Sequence, residues 1–207
     1  MPDLRRDPIV GRWVIISTDR SGRPHDFVPL PPVKPVSSVL CPFCPGQERL
    51  TPKEIMAYRP QPAEPNSPGW TVRVVPNKYS VFIATDDLRR KTNGVFHSMA
   101  AAGAHEVVVE HPRHDLSLAD MGTAHLAAIL HIYRERYQAL KQNPLVESIV
   151  IFKNHGARAG TSLEHAHSQI TAAPIISPQV YRRLEEARRF HEVHGDCLCC
   201  QVMHEEL

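Results

Sequence analysis

Ile151-Phe-Lys-Asn-His-Gly-Ala-Arg-Ala-Gly160-Thr-Ser-Leu-Glu-His165-Ala-His167-Ser-Gln169-Ile170 is the stretch whose reading decides this chain. A glycine-bearing loop, 154–160, leads into residues 163–171, which read as a strand. Along a strand, residues i and i+2 share a face and lie roughly 6–7 Å apart. That places His165, His167 and Gln169 on one face. Neutral imidazole serves as a metal ligand or as a nucleophile, so the two histidines can hold different jobs at one site.

Working outward, apolar and β-branched runs predict strands over 12–17, 72–75, 105–110 and 146–152. Ser117-Leu-Ala-Asp120 reads as a capping box opening a helix to about Lys141, where Asn143-Pro144 stops it. Ser177-Pro178 opens a last helix to about His194, closed by Gly195. Thr51-Pro52-Lys53-Glu54 reads as a further helix start. Residues 29–36 are proline-rich and extended, 60–69 form a proline-rich loop, and 83–103 form a mobile loop. Hairpins mixed with two longer helices predict an α+β fold around an antiparallel sheet.

Composition narrows the class. With 207 residues, 42% hydrophobic and 22% charged, the chain fits one sizeable globular domain or half of a larger protein. A net charge of +2 from 24 basic and 22 acidic residues leaves no electrostatic footprint for nucleic acid or a membrane surface. No apolar run has the length of a membrane span, and the N-terminus carries no signal-peptide core, so a cytoplasmic protein is expected. Five cysteines, an odd number with C-x-x-C spacings, favour metal chemistry over disulfides.

Cys41-Pro-Phe-Cys44 has zinc-knuckle spacing; its plainer reading is a turn between two buried thiols. A tetrahedral site needs two more ligands, and His114 and His165 are the candidates. Were His165 to close the site, no coordination position would remain open, and His167 would stand beside a rigid anchor. The loop with Asn154, Gly160 and Ser162 offers polar groups to a phosphate or ribose, or is a plain hairpin turn. Gln169 can donate an amide N–H to a phosphoryl oxygen without acting as acid or base. Arg20 and Arg23 sit in a loop where arginines hold phosphate or simply face solvent. Cys197-Leu-Cys-Cys200, near the end of the chain, lacks nearby partners.

These pieces carry a resemblance. Leu4-Arg-Arg-Asp-Pro-Ile-Val-Gly-Arg-Trp-Val-Ile-Ile-Ser17, Cys41-x-x-Cys44, Val75-Pro-Asn77, Asn154-x-Gly156 and His165-x-His167-x-Gln169, in that order, resemble the galactose-1-phosphate uridylyltransferases of the histidine-triad superfamily. The resemblance implies a histidine-triad-like antiparallel sheet, a half-barrel with flanking helices. It implies an N-terminal domain over 1–195 and the start of a truncated or separately encoded C-terminal half at 196–207. It implies that His167 attacks a nucleotide sugar such as UDP-glucose, forms a nucleotidyl-histidine and passes UMP to galactose 1-phosphate, in galactose metabolism. By position, zinc falls to Cys41, Cys44, His114 and His165, with a second site at Cys197 and Cys200. The nucleotide falls to Phe43, Asn77, Tyr79, Asn154, Gly160, Ser162 and Gln169, and to Arg20 and Arg23, which in the family reach a neighbouring subunit. A homodimer or association with a C-terminal half follows. Ala166 replaces a proline of the enterobacterial-type enzymes, and the wording FKNxGARAGTSxxHxHSQ is similar to a plant ADP-glucose phosphorylase. The alternatives are therefore AMP transfer to phosphate, or a catalytically incomplete nucleotide-binding half.

Overall fold

A computed structural model describes residues 2–6, 13–16 and 41–207. In chain order the elements are β1 (Asp3–Arg6), β2 (Trp13–Ile16), β3 (Met56–Tyr58), β4 (Val72–Pro76), β5 (Lys91–Asn93), β6 (Phe96–Ala100), β7 (Ala104–Val109), α1 (Thr123–Lys141), β8 (Ser148–Phe152), β9 (His167–Ala173), α2 (Pro178–His194) and α3 (Leu198–Glu206). The strands form two antiparallel sheets, β2-β1-β6-β5 and β3-β4-β7-β9-β8. The α+β reading holds, and the described strands close no barrel.

The larger sheet is built from runs apolar on both faces. Val72, Val74, Val108 and Ile170 point to one side and pack on Ile129 and Ile132 of α1. Polar residues on that side find partners on the helix. Arg136 clamps Glu106 with two bonds of 2.7 and 2.8 Å, and the Tyr133 hydroxyl meets Ser168 at 2.6 Å. Alternation then sends His105, Val107, His167 and Gln169 to the opposite side. The register sets Val107 against Gln169 and Val109 against His167. His105 and Gln169 are thus diagonal neighbours, within reach of long side chains.

Four expectations need correction. Thr51 opens no helix: it follows a 3₁₀ turn over Glu48–Leu50 with extended backbone. The Glu54 carboxylate that would complete the cap is instead bound by Arg59 and Arg73 at 2.9 and 3.0 Å. Buried ion pairing takes Glu54 away from capping, and the chain runs straight into β3. Residues 83–103 are not wholly loop: β5 and β6 pair as a hairpin around a two-residue turn, Gly94-Val95, with Gly94 at positive φ. The Ser117–Asp120 capping box forms, but on a 3₁₀ turn, and α1 starts only at Thr123. Finally, β9 begins at His167, so His165 lies before the strand rather than on its face. The capping of α2 is as expected: Ser177 accepts from the Val180 N–H, and Gly195 closes it at φ 75°, a left-handed conformation suited to glycine. The helix α3 was not anticipated. The proline-rich segment 29–36 lies outside the described residues.

Candidate functional site

The Cys41–Cys44 knuckle is a tight turn, with the Cys44 N–H bonded to the Cys41 carbonyl at 3.2 Å. It rests on a buried polar scaffold. The Trp70 indole N–H donates to Glu48 at 2.9 Å, and Arg73 donates to Glu54, Thr51 and Asn66. Arg73 is 1% exposed, so its charge depends on those partners.

Two histidines from distant parts of the chain close over the knuckle. His165 Nδ1 lies 3.7 Å from Cys41 Sγ and 3.6 Å from Cys44 Sγ, and His114 Nδ1 lies 3.5 Å from Cys44 Sγ. The ligand atoms of all four residues fall within 4.8 Å of one another, a grouping able to hold a metal ion. His165 Nε2 meets the His111 carbonyl oxygen at 2.7 Å. A carbonyl only accepts, so Nε2 carries the hydrogen and Nδ1 turns a lone pair to the sulfurs. Burial, joined by the neighbouring histidines, pushes the His165 pKa down to about 4, which keeps the ring neutral and ligand-ready. Burial, with Cys44 beside it, pushes the Cys41 thiol up to about 12. His114 Nε2 is buried without a hydrogen-bond partner among the described residues.

His167 stands two residues on, at the first position of β9, and is 7% exposed. Its Nδ1 meets the His165 carbonyl oxygen at 2.8 Å. Nδ1 therefore carries a hydrogen, and in the neutral form of the ring the in-plane lone pair sits on Nε2. Phe43, from within the knuckle, packs its ring 5.3 Å from that of His167. Lys153 holds the His167 carbonyl at 3.1 Å while pairing with buried Glu110 at 2.6 Å. The knuckle, the β8 end and the β9 start thus all converge on one imidazole.

Gln169 shares the His167 face of β9. Its Oε1 lies 2.8 Å from His105 Nε2 and 3.4 Å from Asn77 Nδ2. Asn77 Oδ1 in turn accepts from the Tyr79 N–H at 2.9 Å. Beyond Gln169 opens a cleft of about 600 Å³ lined by His105, Asn154, Phe152, Phe82, Val81 and Trp13, among others.

Of the residues singled out from sequence, the structure brings together Cys41, Cys44, His114 and His165 in one cluster, sets Phe43 against His167 and Asn77 against Gln169, and lines the cleft with Gln169 and Asn154. Tyr79 joins through its backbone N–H. Gly160 and Ser162 lie on the loop before His165. Arg20 and Arg23 lie outside the described residues. Cys197, Cys199 and Cys200 are exposed free thiols on and before α3, and among the described residues no histidine or carboxylate joins them as a ligand group. The structure adds His105 and Lys153, which no sequence motif singles out. The signal for His105 was available only through register, which a single sequence does not give.

A family model described as the N-terminal domain of galactose-1-phosphate uridyl transferase matches residues 1–177. An ADP-glucose phosphorylase of Arabidopsis thaliana is 35% identical over 205 residues, covering 97% of this chain and 57% of the relative. A galactose-1-phosphate uridylyltransferase of Thermotoga maritima is 28% identical over 207 residues, covering 100% of this chain and 57% of the relative. A solved uridylyltransferase superposes with a TM-score of 0.72 at 28% identity, over 99% of this chain and 56% of that one. An ADP-glucose phosphorylase from Arabidopsis thaliana with bound ADP-glucose superposes at 0.66 with 31% identity, over 99% and 59%. The chain spans about half the length of the curated relatives it matches. Among the described residues, no helix is long and apolar enough to cross a membrane.

Proposed function

The chain belongs to the galactose-1-phosphate uridyl transferase family, and on that premise we propose that it carries the nucleophile-bearing half of a nucleotidyltransferase that moves UMP from UDP-glucose to galactose 1-phosphate. The observation that carries this reading is the His167 ring. Its Nδ1 hydrogen is committed to the His165 carbonyl, so Nε2 is the nitrogen with an in-plane lone pair. Nε2 attacks the α-phosphorus, and the bond from that phosphorus to the bridging oxygen breaks. Glucose 1-phosphate leaves with the electron pair. The phosphate oxygen of galactose 1-phosphate then attacks the nucleotidyl-histidine and frees the imidazole. A covalent intermediate divides one displacement into two easier ones. Gln169, a neutral amide, holds phosphoryl oxygens without offering an imidazolium proton to a leaving group. Phe43, Asn77, Tyr79, Asn154, Gly160 and Ser162 complete the nucleotide pocket in this proposal.

Cys41, Cys44, His114 and His165 fit a zinc ion: two sulfurs and two nitrogens, with His165 already held in the ligating tautomer. Those four side chains would hold the zinc as a structural ion, tying the knuckle to the strand entrance, because a four-ligand site would leave no position for substrate. The residues of this chain do the rest. The His165 carbonyl orients the nucleophile, and Lys153 fixes the backbone that bears it.

A second reading rests on the 35% identity to an ADP-glucose phosphorylase. There, AMP passes through the same histidine to inorganic phosphate. The domain over 1–195 would work with a C-terminal half or a second copy of the chain, which would complete the acceptor site. Incubation with UDP-glucose or ADP-glucose followed by intact-protein mass spectrometry tests both. The UMP adduct, lost in His167→Ala, supports the first reading and the AMP adduct the second. No adduct from either, with metal bound, leaves a catalytically incomplete nucleotide-binding half.

A further inference from the structure

His105 and Gln169 face each other diagonally across β7 and β9, and the contact has a fixed polarity. The Val81 backbone N–H points at His105 Nδ1 at 3.3 Å. A backbone N–H only donates, so Nδ1 must accept, and the hydrogen of the neutral ring sits on Nε2. Nε2–H then donates to Gln169 Oε1 at 2.8 Å. Asn77 points the same way: with its Oδ1 taken by the Tyr79 N–H, its Nδ2 donates to that same Oε1 at 3.4 Å. Asn77 Nδ2 and His105 Nε2 lie 3.0 Å apart, both within reach of that oxygen. The opposite tautomer would set a ring N–H against the Val81 N–H.

An amide has one oxygen and one NH₂. With the oxygen drawn toward His105 and Asn77, the Gln169 NH₂ is the end left for the face it shares with His167. We propose that His105 is a positioning residue: it locks the Gln169 side-chain amide so that the donor, and not the acceptor, meets the phosphoryl group during transfer. This rests on the nucleotidyl-histidine reading for its purpose, but the lock itself is a property of three side chains. A flipped amide would present an oxygen to phosphoryl oxygens, which repels the group it should hold. His105 is 5% exposed and Gln169 7%, so little water is at hand to replace the bond.

Two measurements test the proposal separately. Imidazole ¹⁵N correlation spectra of the intact chain report the tautomer whether or not the chain is active. The expected result is a neutral His105 protonated on Nε2, with its Nε2 resonance displaced in Gln169→Ala. A ring protonated on Nδ1, or one indifferent to Gln169→Ala, overturns the lock. The second measurement is the rate of nucleotide-adduct formation. His105→Ala should slow it about tenfold, the loss of one buried hydrogen bond. His105→Gln, whose amide NH₂ can replace Nε2–H, should recover most of that. In a Gln169→Ala background, His105→Ala should change the rate less than about twofold, because its effect passes through Gln169. An unchanged tenfold loss in that background assigns His105 a general structural role and rejects the proposal. Absence of any wild-type adduct overturns the functional reading while the spectra still decide the lock.

Discussion

Two cysteine clusters with the same spacing meet opposite fates in this molecule. Cys41 and Cys44 are buried at 3% and 8% exposure, with His114 and His165 closing over them. Cys197 and Cys200 stand exposed at the start of a short helix, and no histidine or carboxylate among the described residues completes them as a ligand group. The difference is not in the motif. The first pair sits on a scaffold that the rest of the fold already needs: Trp70 on Glu48, Arg73 on Glu54, and His165 tied to the His111 carbonyl. C-x-x-C spacing gives a turn able to present two sulfurs. A preorganised shell turns that into a site.

The sharpest way to break the contrast is to test the proposed metal site. Chelation, or Cys41→Ser with Cys44→Ser, should abolish the bound metal and lower the melting temperature by roughly 10–20 °C, from a loss on the order of 5 kcal/mol. Cys197→Ser with Cys200→Ser should leave the metal content unchanged. Equal metal loss from both pairs, followed by atomic emission on dialysed protein, would erase the distinction.

Next in size is the scaffold. Glu54→Gln leaves the Arg73 charge buried without its counterion, and breaking such a pair costs about 3–5 kcal/mol. The same group gives an acid response with a definite sign. Burial pushes the Glu54 carboxyl up, and the bonds from Arg59 and Arg73 outweigh it and hold the carboxyl below its usual range. A folded-state pKa lowered in this way stabilises fully above the unfolded value near 4.5, and the stability is lost as pH falls through the folded value. Denaturant melts of wild type and Glu54→Gln should therefore converge as pH drops below about 4. A gap that stays constant down to pH 2 would assign the cost to packing rather than charge.

How much of this was legible in advance depends on the range of the cause. Strands with β-branched runs, the Ser177 and Gly195 caps and the H-x-H-x-Q pattern are local, and all can be read from neighbouring residues. The Thr51 turn departs from its local pattern because Glu54 finds Arg73 across 19 positions, a partner no window around Thr51 contains. The two-residue period of β9 stops short of His165, whose ring is drawn to the knuckle, 124 positions away at Cys41. His105 has no local signature for a similar reason: the register of β7 on β9, not the HEVVVE run, sets it beside Gln169. The cluster of ligand candidates could be named from spacing and resemblance, whereas its hydrogen-bonded support could not.

The finest test of the contrast is thiol reactivity, because it reads both clusters in one native protein. The Cys200 backbone N–H, together with the Cys200 side chain and Cys199, holds the Cys197 thiol below its ordinary range, in full contact with solvent. Burial holds Cys41 far above it. Reactivity follows the thiolate fraction and access together. The same pairing holds the Cys200 thiol above its ordinary range. At pH 7.5, Cys197 should label quickly and Cys200 behind it, while Cys41 and Cys44 label only on chelation or unfolding, with Cys197 and Cys41 rates roughly a hundredfold or more apart. Peptide mapping should assign the first label to Cys197. Replacing Cys197 by Ser should remove one fast label and shift stability by less than about 0.5 kcal/mol, as for an exposed side chain with no buried partner. Should the fast labels fall on Cys41 and Cys44 while metal is bound, the knuckle would be open to solvent, and the argument that His114 and His165 close it would fail.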